Sequence, residues 1–293
     1  MDPTLFRCPI CHATPLQVTL DALTCGACSK RFPQENGVPL LVANLAAHEE
    51  AMAEAHAVNP EWYRAEQPPE AVSPWRHHLK KRRLYVSSML RRESARRGLA
   101  RAARLLDLGC GDGTNLEWLC EFADSVCGSD YNAIRLARAR ARIPAATLFL
   151  GDILDYPVVD EFFDVVFFNH VIEHIPDDAA ALATAYRILA PGGLLVLGTP
   201  NEGSWWWQLA YKRAPEIRKM TDHVHFYTAE TIGRKMERAG FLVFEVKHMG
   251  WGPPDWRLDG KWRQYKWVDD LFEGVGRILL PRQASSLYLL ATK

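Results

Sequence analysis

The sequence has no excess charge of either sign, because its 293 residues include 35 Lys plus Arg and 35 Asp plus Glu. A protein that coats nucleic acid is normally basic overall, so this balance argues against that class. The sequence also lacks long apolar runs. Its longest, near residues 162–168 and 194–197, fall far short of the roughly 20 apolar residues of a membrane-spanning helix. The amino terminus has no basic segment followed by an apolar one, which predicts no secretory signal peptide.

Cysteine is scarce, with seven residues unevenly spread along the chain. That number excludes a disulfide-stapled scaffold and, with no signal peptide predicted, indicates a reduced, cytoplasmic protein. Apolar residues make up 48% and charged residues 24% of the chain, which is ordinary for a globular protein. The length suits one large domain and a small appendage.

Four of the seven cysteines form two Cys-x-x-Cys pairs, Cys8 with Cys11 and Cys25 with Cys28. A short strand-like run at 16–23 separates the pairs, so four thiolates can meet around one tetrahedral Zn²⁺. Nothing in the segment indicates an open coordination position on the metal, so the metal is predicted to be structural rather than catalytic. Two disulfides or four free thiols are the alternative, which a reducing compartment disfavours.

Composition divides the chain into three predicted parts. Residues 1–42 form the cysteine-rich domain, residues 43–100 a helical linker or cap broken at Pro68-Pro69, and residues 101–293 the main domain. In the main domain, short apolar runs at 104–108, 125–128, 147–150, 163–168 and 194–198 alternate with helical stretches. This alternation predicts an α/β fold with a mostly parallel sheet.

A basic run lies at residues 76–104, with eleven Lys or Arg against one acid, Glu93. One interpretation is a patch for an anionic partner such as RNA, a phosphorylated metabolite or an acidic lipid surface. The other is the solvated face of an amphipathic helix, since Leu79, Val86 and Met89 recur at helical spacing. The apolar spacing favours the amphipathic helix, because helical packing explains the apolar residues without any anionic partner.

The strongest chemical signal is the run Leu105-Leu-Asp-Leu-Gly-Cys-Gly-Asp-Gly, an apolar strand that ends in a Gly-x-Gly-x-Gly turn. Glycines let the backbone turn sharply and approach a ligand, and the following helix start offers free N–H groups. Acids then end the next two strands, at Asp130 and Asp152. An acid about 20 residues after the turn is expected to bind ribose hydroxyls.

In this order, the glycine turn, Ser-Asp-Tyr at 129–131, Gly-Asp-Ile at 151–153, Glu-His-Ile-Pro-Asp at 173–177 and Leu-x-Pro-Gly-Gly at 189–193 resemble the class I S-adenosylmethionine-dependent methyltransferases. The resemblance covers roughly residues 101–293 and implies a Rossmann-like, seven-stranded, mostly parallel sheet. It also implies S-adenosyl-L-methionine as co-substrate. The residues that it implies for cofactor binding are Asp107, Gly109, Gly111, Gly113, Asp130, Tyr131, Asp152, Ile153 and Asn169.

The cofactor's sulfonium is already an activated electrophile, so the remaining chemical need is a base for a hydroxyl acceptor. His174 follows the fourth strand. The resemblance also implies a role for His223, because a His in its position commonly lies near the acceptor in O-methyltransferases of the quinone- and sugar-modifying kind. Either is predicted as the base, and the alternative is a histidine that only orders a loop.

Tryptophans crowd two predicted substrate covers near 201–227 and 250–282, which suits a small-molecule, sugar or lipid-linked acceptor. A local apolar core is equally compatible with them. Residues 267–280 are predicted to form an amphipathic helix for packing or for an interface.

The cysteine segment, with Phe-Pro at 32–33 and Gly-Val-Pro-Leu-Leu at 37–41, resembles the small zinc-ribbon proteins that activate tRNA, rRNA and release-factor methyltransferases. This resemblance implies structured RNA as an alternative substrate and a protein partner that binds through the ribbon. The zero net charge and the tryptophan-rich covers favour the small acceptor instead.

Overall fold

The computed structural model describes residues 2, 4–58, 64–220, 222–253 and 256–293. The chain divides into two compact units. The first contains residues 1–67, 99–167 and 187–193, and the second contains residues 68–98, 168–186 and 194–293. The three-part domain division remains a prediction.

Eleven strands and nine α-helices are described in these residues. The strands are β1 (Leu16–Val18), β2 (Ala22–Cys25), β3 (Arg31–Glu35), β4 (Val38–Leu41), β5 (Ala102–Leu108), β6 (Ala123–Asp130), β7 (Thr147–Gly151), β8 (Phe163–Asn169), β9 (Leu189–Pro200), β10 (Leu242–Met249) and β11 (Ser286–Thr292). The helices are α1 (Leu45–Val58), α2 (Arg76–Arg96), α3 (Leu116–Leu119), α4 (Ala133–Arg142), α5 (Asp178–Ile188), α6 (Trp205–Arg213), α7 (Ala229–Arg238), α8 (Trp256–Arg263) and α9 (Lys266–Leu279).

The first unit contains a parallel sheet extended by an antiparallel ribbon. Strands β1 to β4 pair antiparallel in chain order, and β4 then joins β7 in parallel, with Leu40 beside Leu150. Strands β7, β6, β5 and β8 follow in that order, all parallel. Each of the four residues of β4 is buried, so the ribbon shares a hydrophobic core with the parallel sheet.

Helix α4 covers one face of this sheet. Its inner positions Leu136 and Ala139 are buried against Leu148 and Leu150, and its four arginines are half-buried. Asn132 caps the helix, because its side chain accepts hydrogen bonds from the N–H groups of Ile134 and Arg135. The cap fixes where the chain turns from β6 into α4, and so where the end of β6 lies.

In the second unit, β11 pairs antiparallel with both β9 and β10. Six of its seven residues are buried, which matches an apolar run rather than an alternating one. Helix α7 begins at a capping box in which Thr228 and Thr231 exchange hydrogen bonds. The predicted closing antiparallel strand and the helix start near Thr228 are therefore confirmed.

The predicted α/β class is confirmed, but the strand count differs. Strands β5 to β11 supply the predicted seven, and the ribbon adds four more. The strand-like run at 16–23 contains the turn of a hairpin between β1 and β2. At this turn the Thr19 hydroxyl oxygen accepts the N–H of Ala22. Helix α3 is shorter than the helical stretch predicted after the glycine turn and ends at Leu119. Among the described residues, no helix is both long and apolar enough to cross a membrane.

Candidate active site

The glycine turn after β5 adopts a backbone that only glycine takes readily. Gly109, Gly111 and Gly113 have φ values of 81°, 54° and 79°. A Cβ at Gly113 would lie 3.1 Å from the Cβ of Ala139 on α4, so the turn also packs closely on that helix. Asp107, at the end of β5, is buried. The turn is thus a tight backbone cradle at the carboxyl end of a parallel strand, where α/β sheets bind ligands.

Asp130 ends the neighbouring strand β6 and is held against this cradle. One carboxylate oxygen accepts the N–H of Gly111 at 2.8 Å, and the other accepts the N–H of Asn132 at 2.8 Å. Each oxygen keeps a further lone pair, so the oriented carboxylate can still accept hydrogen bonds from ribose hydroxyls. The cradle and this carboxylate therefore fit the nucleoside end of S-adenosylmethionine.

Tyr131 and Asp152 lie close together beside the cradle. The ring of His48, from α1, meets the Tyr131 ring edge-on with centroids 4.3 Å apart. Burial lowers the pKa of His48, while the Asp152 charge opposes that shift, and burial and the Asp152 charge raise the pKa of Tyr131. Ile153 is partly exposed next to Asp152. The structure thus groups three predicted cofactor residues with a histidine that sequence reasoning missed.

Gln67 is a second missed residue at the cradle. Its backbone N–H donates to Asp112 at 2.6 Å, and a Cβ at Gly111 would lie 3.2 Å from its side-chain oxygen. Nothing in the local sequence marks Gln67 except the Pro68-Pro69 break that follows it. His48 gives a faint signal, because it shares the buried face of α1 with Met52.

Asn169 ends β8, and this last part of the strand belongs to the second unit. It is buried, its side-chain oxygen accepts the hydroxyl of Tyr288 at 2.8 Å, and a Cβ at Gly198 would overlap it. The next N–H, of His170, donates to the carbonyl of Gly198 at 2.8 Å. This strand end is therefore fixed in position by β9 and β11.

Glu173 organises a cluster of titratable groups in the second unit. Its side chain is 1% exposed, and its backbone carbonyl accepts the N–H groups of Val224 and His225 at 2.9 and 3.1 Å. These bonds bring the 222–225 segment beside the 3₁₀ turn at Ile172–His174. As a result, the rings of His174 and His223, the two predicted bases, have centroids 4.9 Å apart.

The two histidines have opposite pKa shifts. Burial lowers the pKa of His174, but the Asp222 carboxylate, 3.2 Å from Nδ1, and Glu173 outweigh burial and raise it overall. The pKa of His223 is lowered, first by burial and then by the charge of His174. The raised pKa favours the charged form of His174 and the lowered pKa favours the neutral form of His223, and only a neutral imidazole can accept a proton.

The same cluster has a donor set that metal ions use. One ligand atom each from Glu173, His174 and His223 lies within 4.8 Å of the others. However, the Nδ1 of His174 already faces Asp222, and the Nδ1 of His223 lies 4.0 Å from Glu202. A carboxylate that orients an imidazole supports proton transfer as well as it supports metal binding. Any test of this cluster therefore needs a control with a chelator.

Aromatic side chains surround His223. Phe226 lies 6.4 Å from its ring, Tyr211 meets Phe226 edge-on, and Trp207 stacks on Tyr211 at 5.7 Å. Trp205, in contrast, is exposed. The first predicted cover therefore contains both a local aromatic cluster and an open tryptophan face.

The four ribbon cysteines converge as predicted. Sγ of Cys8 lies 3.7 Å from that of Cys28, and Sγ of Cys11 lies 3.5 Å from that of Cys25. A tetrahedron with Zn–S bonds of about 2.3 Å has edges of about 3.8 Å, while a disulfide is about 2.05 Å. The donors and their spacing therefore fit Zn²⁺ and not disulfides.

The two cysteine knuckles share one backbone pattern. Cys8 donates to Ala13 and accepts from His12, and Cys25 donates to Lys30 and accepts from Ser29, each bond at 2.9 Å. The residue after each second cysteine takes a positive φ, 59° and 58°. Equivalent geometry in both halves is what a symmetric four-sulfur site requires.

Much of the basic run pairs within its own unit. Lys81 contacts Asp269, Asp270 and Glu273 at 2.6–2.8 Å, and Arg92 contacts Glu245 at 2.7 Å. Arg83 forms a two-pronged pair with Glu70. The run is thus a packing helix over Arg76–Arg96, with much of its charge used internally.

Comparison with known proteins agrees with this geometry. A family model described as a methyltransferase domain matches residues 75–246. A protein of Mycolicibacterium smegmatis described as a probable S-adenosylmethionine-dependent methyltransferase is 30% identical over 139 residues, 47% of this chain and 52% of that protein. A ubiquinone biosynthesis O-methyltransferase of Cereibacter sphaeroides is 30% identical over 162 residues, 52% of this chain and 66% of that protein. The chain spans about half the length of the first of these relatives.

Two solved structures share the fold. A chain from the Haloferax volcanii complex of the Trm112 methyltransferase activator with a methyltransferase has a TM-score of 0.53 at 17% identity. The match covers 84% of this chain and 96% of that one. A methyltransferase structure from Bacillus halodurans has a TM-score of 0.50 at 20% identity, over 70% and 99% of the two chains. These identities support the fold alone.

Proposed function

This chain belongs to the methyltransferase domain family, and we propose that it is an S-adenosylmethionine-dependent methyltransferase that methylates a hydroxyl group of a small-molecule, sugar or lipid-linked acceptor. The observation that carries the proposal is the pair of histidine rings, His174 and His223, with centroids 4.9 Å apart beside buried Glu173. The opposite directions of their pKa shifts support it. A hydroxyl loses its proton as it accepts a methyl group, so it needs a base. An acceptor that is already nucleophilic needs none.

His223 is the proposed base, and His174 is a positioning residue. Bound S-adenosylmethionine supplies a methyl group on a sulfonium, so the protein does not have to activate the donor. The lowered pKa keeps His223 unprotonated at neutral pH, and Glu173 and Asp222 hold the charged His174 beside it. When His223 takes the hydroxyl proton, Glu202 lies 4.0 Å from its Nδ1 and stabilises the new cation.

The surroundings of His223 support an acceptor with an apolar or ring-shaped part. Phe226, Tyr211 and Trp207 form a continuous aromatic cluster from its ring outward. Aromatic side chains bind quinoid, aromatic or sugar rings well, although Arg218 already lies over the rings of Tyr211 and Phe226. Relatives that are named O-methyltransferases also support a hydroxyl acceptor.

For the cofactor, the proposal assigns the ribose hydroxyls to Asp130 and the methionine portion to the glycine cradle. Asp130→Ala is expected to weaken S-adenosylmethionine binding about 5- to 150-fold, because it removes charge-assisted hydrogen bonds that contribute about 1–3 kcal/mol. Isothermal titration calorimetry measures the change. Asp124→Ala, at an exposed position in β6, is the matched control. Unchanged affinity in Asp130→Ala contradicts the assignment.

The four ribbon cysteines are proposed to hold a structural Zn²⁺. The convergent sulfurs and the repeated backbone pattern support this assignment. The metal would give the small ribbon stability that a core of its size cannot supply. A partner protein that binds through the ribbon also remains a proposal.

Methylation of structured RNA is the competing function, and the ion pairs of α2 argue against it. Lys81, Arg83 and Arg92 are already matched by carboxylates, so they are poor candidates for binding phosphates. An RNA substrate predicts binding that weakens steeply with salt, whereas a small acceptor predicts little salt dependence.

The test of the proposed function uses methyl-labelled S-adenosylmethionine with a fractionated extract of the native host. We expect the label in solvent-soluble or lipid material, unaffected by RNase. Label in precipitate that RNase releases would overturn the small-acceptor proposal in favour of RNA. Heat-inactivated protein is the blank for both fractions.

A further inference from the structure

Helix α9 exposes five apolar residues, whereas its buried residues are Asp269 and Gly276. Trp267, Leu271, Ile278 and Leu279 are 70%, 55%, 79% and 70% exposed, and Val275 is also exposed. We call these five residues the outer apolar face. At 100° per residue, Trp267, Leu271 and Ile278 fall within one narrow arc, and Asp269 and Gly276 fall on the opposite side. That opposite side is the buried one.

Specific contacts fix this orientation of α9. Asp269, 1% exposed, accepts from Arg263 at 2.7 Å and pairs with Lys81 at 2.6 Å. Gly276 lies directly against the ring of Trp251, where a Cβ would overlap it, and the Trp251 indole N–H donates to the carbonyl of Leu280. Rotating the helix to bury its apolar side would break a buried ion-pair network, which costs several kcal/mol. The outer apolar face therefore stays outward.

Aromatic residues extend this surface. Trp262 is exposed and stacks on Phe272 of α9, with ring planes 11° apart, and Tyr265 is exposed between α8 and α9. Contiguous exposed apolar surface of this kind marks an interaction site. Tryptophan and tyrosine are the side chains that settle best at the boundary between water and lipid.

The acidic and basic residues around the outer apolar face differ in whether they are paired or exposed. The acids of α9 are occupied, because Asp269, Asp270 and Glu273 all pair with Lys81. Three exposed cations accompany this face along the chain, Lys261 before α9, Arg277 on α9 and Arg282 after it, and we call them the basic rim. A helix with an apolar face and basic flanks is the pattern of segments that lie in the plane of a membrane. The basic rim favours an anionic surface.

From these observations we propose that α9 docks this protein onto an anionic lipid bilayer, with the outer apolar face in the boundary between headgroups and acyl chains. Lys261, Arg277 and Arg282 then meet lipid phosphates. This proposal goes beyond the proposed acceptor and does not depend on it. A hydroxyl acceptor free in water and one held in lipid are both compatible with docking.

The test is co-sedimentation with vesicles in the absence of any methyl acceptor. Wild type is expected to pellet with vesicles of roughly three parts phosphatidylcholine to one part phosphatidylglycerol, and much less with phosphatidylcholine alone. The double variant Leu271→Ser/Ile278→Ser is expected to bind at least about tenfold more weakly, because it removes two aliphatic side chains that docking would bury in the lipid. The matched control Leu20→Ser/Leu242→Ser, at two exposed leucines elsewhere, is expected to bind as wild type.

Three results would overturn docking. The first is wild type that stays in the supernatant with anionic vesicles, and the second is a double variant that pellets as well as wild type. The third is light scattering that gives a dimer for wild type and a monomer for the double variant, because the face would then join two copies of this chain. Equal S-adenosylmethionine affinity and equal thermal unfolding show that the variants fold. Failure of docking leaves the labelling test of the acceptor unaffected.

Discussion

His223→Ala is expected to lower kcat by about 10²- to 10⁴-fold, the usual contribution of a positioned base. S-adenosylmethionine affinity should stay unchanged, because the residues proposed for the cofactor do not include this histidine. Single-turnover measurement with labelled cofactor separates the chemical step from binding. His225→Ala is the control, since the ring of His225 hydrogen-bonds the Pro176 carbonyl, lies 3.7 Å from Asp178 and stacks on Tyr227. A near-normal rate in His223→Ala would move the base to His174 or remove the need for one.

The pH profile adds a second readout of the same assignment. Because the pKa of His223 lies below the usual value of about 6.5, kcat should stay level through neutral pH and fall only on the acid side of that value. His174→Asn removes the cation that lowers this pKa, so the acid limb should move to higher pH. An acid limb that does not move would contradict the coupling. Activity that survives treatment with EDTA excludes a metal ion as the activating group.

Cys25→Ser is expected to abolish zinc binding and to unfold the ribbon. A structural Zn²⁺ contributes an apparent free energy of about 10–16 kcal/mol in small zinc domains, far more than a ribbon core of this size supplies. Elemental analysis should give one zinc per wild-type chain and none per variant. Amide exchange should lose protection over β1 to β3, and thermal unfolding should begin at a lower temperature.

Cys120→Ser is the matched control for this experiment. Cys120 is a half-buried thiol outside the four-sulfur cluster, so its replacement should leave the zinc content at one per chain. Wild-type protein purified without stoichiometric zinc would contradict the assignment of a zinc ribbon, whatever the result for the variant. Protected β1 to β3 amides in a zinc-free Cys25→Ser variant would show that the ribbon folds without the metal.

Local pattern accounts for the elements that sequence predicted well. The strand at 104–108, the glycine turn and Asp130 follow one another closely, so spacing alone places the turn beside the next strand end. The two cysteine pairs are likewise short-range signals. In contrast, the predicted extent of α3 was wrong, because helical composition does not mark where a short helix ends when no cap follows it.

The sequence by itself determined the fold class, the family resemblance, the cradle with its carboxylates and the cysteine set, because these depend on side-chain period and on spacing along neighbouring strands. Only the tertiary structure decided what distant segments do to one another. It places His48 on Tyr131, pairs Lys81 with the acids of α9, and gives His174 and His223 opposite pKa shifts. It also turns the apolar side of α9 outward, although the pattern of that helix suits a packed one equally well. Amphipathicity specifies that a helix has two faces, but its long-range partners decide which face is buried.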